Sequence, residues 1–167
     1  MKKLIFLFIS IILQLWMTSP AQAQLQQGDY KQSLQGLNGV FVVIQIVDEQ
    51  PDGIATNSIE ALVKTTLTDA GIPLQTEPQK ANGDANLSIV IDTIKQPQLD
   101  IYAFTVEVSV TQDVRLSRLP NANWISAETW RKTLQGITSP DRMDVIPMAL
   151  KQALKYFVTD YRTMNPK

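Results

Sequence analysis

From Tyr102 to Arg118 the chain alternates more strictly than anywhere else. Phe104, Val106, Val108, Val110, Val114 and Leu116 occupy even positions. Thr105, Glu107, Ser109, Thr111, Asp113, Arg115 and Ser117 fill the odd ones. Successive side chains of a strand point to opposite faces, so this stretch predicts one long strand with an apolar face and a wet face. Only Gln112 breaks the apolar row. One wet face implies an antiparallel sheet covered on a single side, because parallel sheets are normally buried on both. The rest of the chain must supply that cover.

The pattern before the long strand predicts strand, helix, short strand, strand. Val40 to Val47 is β-branched and apolar on nearly both faces, which suits a central strand. Asp48 to Gly53 has turn composition. A helix follows, with Asn57 as its cap and Glu60 as the reciprocal partner. Its buried stripe is Ile59, Leu62, Val63, Leu67 and Ala70. Gly71 ends it and Pro73 prevents its resumption. Ile72 to Thr76 reads as a short edge strand parallel to the first, and Glu77 to Asp84 as a loop. Leu87, Ile89 and Ile91 alternate with Ser88, Val90 and Asp92 as the next strand, and Gln96 to Asp100 turns the chain into the long one.

After the long strand, Leu119 to Asn123 returns the chain. Trp124 to about Leu134 is another strand, closed by Gly136 and Ser139-Pro140. In the final helix Met143, Ile146, Leu150, Ala153, Leu154, Phe157, Tyr161 and Met164 recur at spacings of three and four. Asp144 is its expected cap, which places Pro147 in the first turn, where a missing N–H costs little. The expected fold is a two-layer α+β sandwich. Two helices cover one face of a mainly antiparallel sheet of four to five strands, in the order β-α-(β)-β-β-β-α.

Lys2 and Lys3 precede a mostly apolar run from Leu4 to Met17, and Ala21-Gln22-Ala23 has the small-polar-small form of a signal-peptidase site. The reading is a signal peptide over 1–23 with cleavage near Ala23, a flexible lead-in over 24–36 and a single domain over 37–167. The apolar run is short for a membrane span, which needs about 20 residues of helix; an uncleaved anchor is the alternative. Removing Lys2 and Lys3 leaves 13 basic against 16 acidic residues, net −3. No basic cluster stands out, so a nucleic-acid partner is not expected. The sequence contains no cysteine and no histidine. Disulfides, thiol nucleophiles and every mechanism that needs an imidazole base are therefore excluded. No cofactor is expected, and the product is expected in the periplasm or outside the cell, with no membrane span after cleavage.

Several short patterns carry a resemblance. They are Leu37-x-Gly39-Val40-x-Val42-Val43, Leu67-x-x-Ala70-Gly71-Ile72-Pro73, Val114-x-Leu116-x-Arg118, Thr129-Trp130 and Phe157-x-x-Asp160-Tyr161-x-x-x-Asn165-Pro166. Together they resemble a group of small exported bacterial proteins of unknown function. More remotely, the element order is similar to α/β modules of envelope-assembly proteins, namely the lipopolysaccharide-transport lipoprotein and the N-terminal domain of the Tol–Pal periplasmic protein. The resemblance implies a binding or assembly module rather than an enzyme, and it carries over no catalytic residue. The chain departs from the lipoprotein pattern in having no cysteine for lipid attachment.

Candidate sites are few. Asp48, Glu49 and Asp52 offer carboxylates for calcium or for an acid pair, but a calcium loop wants more oxygen ligands in a regular pattern, so they read as a solvated turn. Trp124 and Trp130 lie an even number apart and share a face if the strand is regular; exposed, they would stack on a sugar or peptide, and buried, they are core. Glu128 and Lys132 flank Trp130 on that face. Ser109, Ser126 and Ser139 have no histidine to activate them and sit in no nucleophile elbow. On the first strand, Phe41 and Val43, or their even neighbours Val42 and Ile44, must face the uncovered side of the sheet. The expected interaction surface is thus Phe41, Val43, Trp124 and Trp130. An envelope protein or a second copy is the expected partner on the open sheet face, unless the lead-in folds across it. A carboxylate-based hydrolase of envelope glycans and a small-molecule carrier are the competing functions.

Overall fold

The computed structural model describes residues 30–47, 54–78, 84–119 and 124–166. The expected export signal, residues 24–29 of the lead-in, and Asp48, Glu49 and Asp52 lie outside them.

The fold is the expected α+β sandwich. Four strands, β1 (Gly39–Val47), β2 (Asp84–Gln96), β3 (Ile101–Val114) and β4 (Ile125–Thr138), lie side by side in chain order. β1 runs parallel to β2, and the other neighbours are antiparallel. Helix α1 (Thr56–Asp69) joins β1 to β2, and α2 (Val145–Met164) follows β4. The expected fifth strand is reduced to one parallel bridge, Leu74 to Val40.

Register assigns the faces. Val42, Leu87, Val110 and Trp130 form one cross-sheet row, and Ile44, Ile89, Val108 and Lys132 the next. This is the face under the helices. Leu87, Ile89, Val106, Val108 and Val110 are fully buried there, against Ile59, Val63 and Leu67 of α1 and Ile146, Leu150, Leu154 and Phe157 of α2. Each such side chain contributes about 1.5–3 kcal/mol relative to exposure. Both helical stripes are therefore those expected from spacing.

The end of α1 is also as expected. Gly71 has φ 70°, its N–H donates to Thr68 O at 2.8 Å, and the Ile72 N–H donates to Leu67 O at 3.0 Å. These paired bonds satisfy carbonyls that the helix cannot.

Other expectations require correction. β1 stands at the end of the sheet, not at its centre. The N-cap of α1 is Ala55, with no side-chain cap bond, so Asn57 does not cap it. Asp144 is the N-cap of α2, but its carboxylate accepts from Arg142 Nε at 3.3 Å instead of capping the helix, because a 3-10 turn (Pro140–Arg142) runs almost straight into it. Gly136 does not close β4 but lies inside it, opposite Phe104. The long strand stops at Val114, short of Arg118.

The stretch read as a flexible lead-in contains a 3-10 turn, Tyr30–Leu34, with Leu34 fully buried. Asn165, beyond the end of α2, holds this turn. Its Nδ2 donates to Leu34 O at 2.8 Å, and its Oδ1 accepts from Gly36 N–H at 2.8 Å. The Tyr161 hydroxyl donates to Leu37 O at 3.1 Å. Among the described residues, this segment packs on the helix side and leaves the other face of the sheet uncovered.

Candidate interaction surface

The two tryptophans lie on opposite faces. Val110 pairs with Trp130, but the next residue of β3, Thr111, pairs with Glu128, so Thr129 is an extra residue on β4. A bulge of this kind shifts the alternation by one. Trp130 stays under the helices, 4% exposed. It meets Phe157 edge-on at 5.4 Å between ring centroids, and its Nε1–H donates to Asp160 Oδ2 at 3.0 Å. Trp124, 51% exposed, stands on the open face, with the Arg115 guanidinium 4.2 Å from its ring centroid. The expectation of a shared face fails because the strand is not regular.

Glu128 and Lys132 separate for the same reason. Lys132 lies on the helix side, with Nζ 4.3 Å from the Tyr156 ring centroid. Glu128 turns to the open face and accepts from Arg131 Nη2 at 2.7 Å. Arg131 also faces Glu107 at 3.5 Å, and Thr133 donates to Glu107 at 3.3 Å. The Glu128 hydrogen bond, then the charges of Glu107 and Glu128, raise the Arg131 pKa above its ordinary value.

Gln112 owes its place in the apolar row to the bulge. Its Nε2 donates to Thr129 Oγ1 at 2.7 Å and to Ser33 O at 3.0 Å, while Ser33 Oγ donates to Thr129 O at 3.0 Å. The one polar residue in the row thus ties the bulge to the N-terminal turn. The interruption at 112 was the available signal for this irregularity.

Phe41 and Val43 do face the open side, in rows with Asn86 and Thr111 and with Ser88, Ser109 and Arg131. Val43 is 42% exposed and Phe41 half-buried. Three strand spacings, about 14 Å, separate β1 from β4, so Phe41 and Val43 do not share a patch with Trp124. The centre of the open face is polar, holding Ser88, Glu107, Arg131 and Thr133. Toward the β2–β3 turn it becomes apolar again, where Ile94, Ala103 and Ile137 form one row, and Ile137 is 69% exposed. Small Ala103 between two isoleucines leaves a cleft of about 440 Å³, also lined by Asp92, Thr105 and Gln135. Sequence reading did not single out this row.

No protein-family model matches the chain, and no curated protein does. Among solved structures it is similar to the crystal structure of a minor lipoprotein from Acinetobacter baumannii. The two are 10% identical, with a TM-score of 0.37, over 77% of this chain and 94% of that one. A likeness of that size carries no argument about what this chain does. Among the described residues, no helix is long and apolar enough to cross a membrane.

Proposed function

We propose that this chain is an exported, non-enzymatic binding or envelope-assembly module that engages a partner protein through the open face of its sheet. The observation that carries the reading is the lack of a covering layer on that face among the described residues, while Val43, Ile94 and Ile137 stand exposed on it. Ile94 and Ile137, in one row with Ala103, form an uncovered apolar strip of the kind that marks a contact surface, and Val43 stands exposed separately on β1. The export part of the reading is supported by Lys2, Lys3, the apolar run and the Ala21-Gln22-Ala23 pattern.

The competing hydrolase needs two carboxyl groups facing one cleft, about 5–10 Å apart. Glu107 and Glu128 instead both turn to Arg131 on an open sheet surface. The cleft beside Ile137 presents Asp92, and a groove between the helices presents Asp69, each without a second carboxylate. The competing carrier needs space between sheet and helices, and that layer is filled by Phe157, Leu150, Ile146, Val108 and Ile89, all fully buried.

The test is site-specific photo-crosslinking in the cell envelope of the native host. A crosslinker at Ile137 or Val43 is expected to trap one defined protein, and Ile137→Glu is expected to abolish the adduct while preserving the fold. Absence of any protein adduct at both positions, or release of sugar from envelope glycans by the purified chain, would count against the proposal.

A further inference from the structure

β3 and β4 run past the covering layer at the end where Val114 pairs with Ile125. On the helix side Gln112 still meets the N-terminal turn, through Ser33. Two residues further out, Ile125 is exposed. Beyond that pair stand Arg115 and Trp124, the guanidinium over the ring. Leu119 follows a turn in which its N–H donates to Leu116 O at 2.9 Å. Leu119 and Trp124 are exposed as well. This end lies about 35 Å along β3 from Ala103, at about 3.3 Å per residue, so it is separate from the row of Ile94, Ala103 and Ile137.

Its charge runs against that of the whole. Residues 114–119 and 124–127 include Arg115 and Arg118 and no acid, whereas the chain carries a net charge of −1. The first acids inward are Asp113 and Glu128, and Glu128 is engaged by Arg131. Among the described residues no ion pair engages Arg115 or Arg118. Exposed apolar side chains also project from both faces, because Trp124 and Ile125 are consecutive and extended. A flat protein surface would cover one face of a hairpin, whereas a lipid layer surrounds its end on every side. Trp rings settle at the headgroup level of a bilayer, with one end apolar and the other wet. Guanidinium groups match phosphate oxygens in a fork geometry.

We propose that this end of the β3–β4 hairpin inserts shallowly into an anionic phospholipid surface. Leu119, Trp124 and Ile125 enter the interfacial region, and Arg115 and Arg118 pair with lipid phosphates. The apolar side chains supply contact on both faces of the hairpin, and the unpaired cations select a negatively charged surface over a neutral one. The proposal concerns a lipid contact at the end of the sheet and does not rest on the partner proposed for its open face.

The test is co-flotation of the exported chain with lipid vesicles. Vesicles of phosphatidylcholine and phosphatidylglycerol in equal parts are expected to carry the chain, and vesicles of phosphatidylcholine alone are not. Each cation near such a surface contributes about a fivefold factor, so Arg115→Gln with Arg118→Gln should lower partitioning about 25-fold. The control is Lys151→Gln with Lys155→Gln, an equal loss of charge from the exposed side of α2, which should leave partitioning nearly unchanged. Tryptophan emission gives a second readout. Trp16 lies within the expected export signal, and Trp130 is buried and reports an intact fold. A blue shift with anionic vesicles is therefore expected in the wild-type chain and not in Trp124→Phe. Equal flotation with both kinds of vesicle, an equal loss in the two charge variants, or a shift that survives Trp124→Phe would each overturn the proposal. Failure to float with either would overturn it too, and a crosslinker at Trp124 that traps an envelope protein would reassign this end to a protein contact.

Discussion

The indole N–H of Trp130 donates to the Asp160 carboxylate at 3.0 Å, fastening the end strand of the sheet to the last turns of α2. Asp160→Ala removes the acceptor and leaves the indole N–H without its partner. The expected loss is about 1–2 kcal/mol in urea unfolding. Trp130→Ala also removes the edge-on contact with Phe157 and should cost about 3–5 kcal/mol. A double-mutant cycle should return a coupling close to the Asp160→Ala value. No coupling would mean that the bond contributes nothing to stability.

Val108 and Ser109 are neighbours that face opposite sides of β3. Val108 is fully buried beneath the helices, so Val108→Ala is expected to cost about 2 kcal/mol or more. Ser109 lies on the open face, where the wet side of the strand was expected, yet it is only 5% exposed, set between Ser88 of β2 and Arg131 of β4. Ser109→Ala removes no core packing and should change stability by less than about 0.5 kcal/mol. Equal effects in thermal unfolding would show that the two faces are misassigned.

Phe104 lies across from Gly136, and its ring occupies the space a side chain would need. A Cβ at Gly136 would come within 2.6 Å of Phe104 Cζ. Gly136→Ala is expected to cost about 1–3 kcal/mol by overpacking. Combining it with Phe104→Leu should recover part of that loss, because the smaller side chain vacates the contact. A double variant no better than the sum of the two would locate the cost in the backbone of β4.

Period-based reading served best where one face of an element is buried throughout. The even residues of β3, the stripe of α2 and the Gly71 stop were all legible for that reason. Thr129 was not, because a bulge needs no special residue and Thr suits a strand as well as its neighbours do. That one residue sends Trp124 and Glu128 to the open face and leaves Trp130 and Lys132 under the helices. Asn57 was misread because capping residues also suit the first turn of a helix. The place of β1 was misread because an apolar strand predicts neighbours, and one of them is missing among the described residues. On β1, alternation left two pairs for the open side, Phe41 with Val43 or Val42 with Ile44, and only the register with β2 places the first pair there. The row of Ile94, Ala103 and Ile137 was not legible, since it assembles residues from three strands whose register no local pattern encodes.

Burial pushes the Tyr161 phenol above its ordinary value of 10.0. The folded chain therefore holds that proton more tightly than the unfolded chain does. Its contribution to stability is complete below about pH 10 and is lost as pH rises through the folded pKa. Tyr161→Phe should flatten the alkaline end of the stability profile. Near neutral pH it should cost about 1 kcal/mol, because the Leu37 carbonyl loses its donor. An unchanged alkaline slope in the variant would assign the titration to another group.

Asn165 brings Gly36 and the end of α2 together through one side chain. A linker from the end of α2 to the start of the Tyr30–Leu34 turn would therefore need to span little more than that turn, and the chain could be reopened at the exposed turn of Gln96 to Asp100 without cutting a helix or a strand interior. The architecture is in this sense a ring: its order of elements can be rotated, and the Asn165 clasp marks the join that a circularly permuted gene would close.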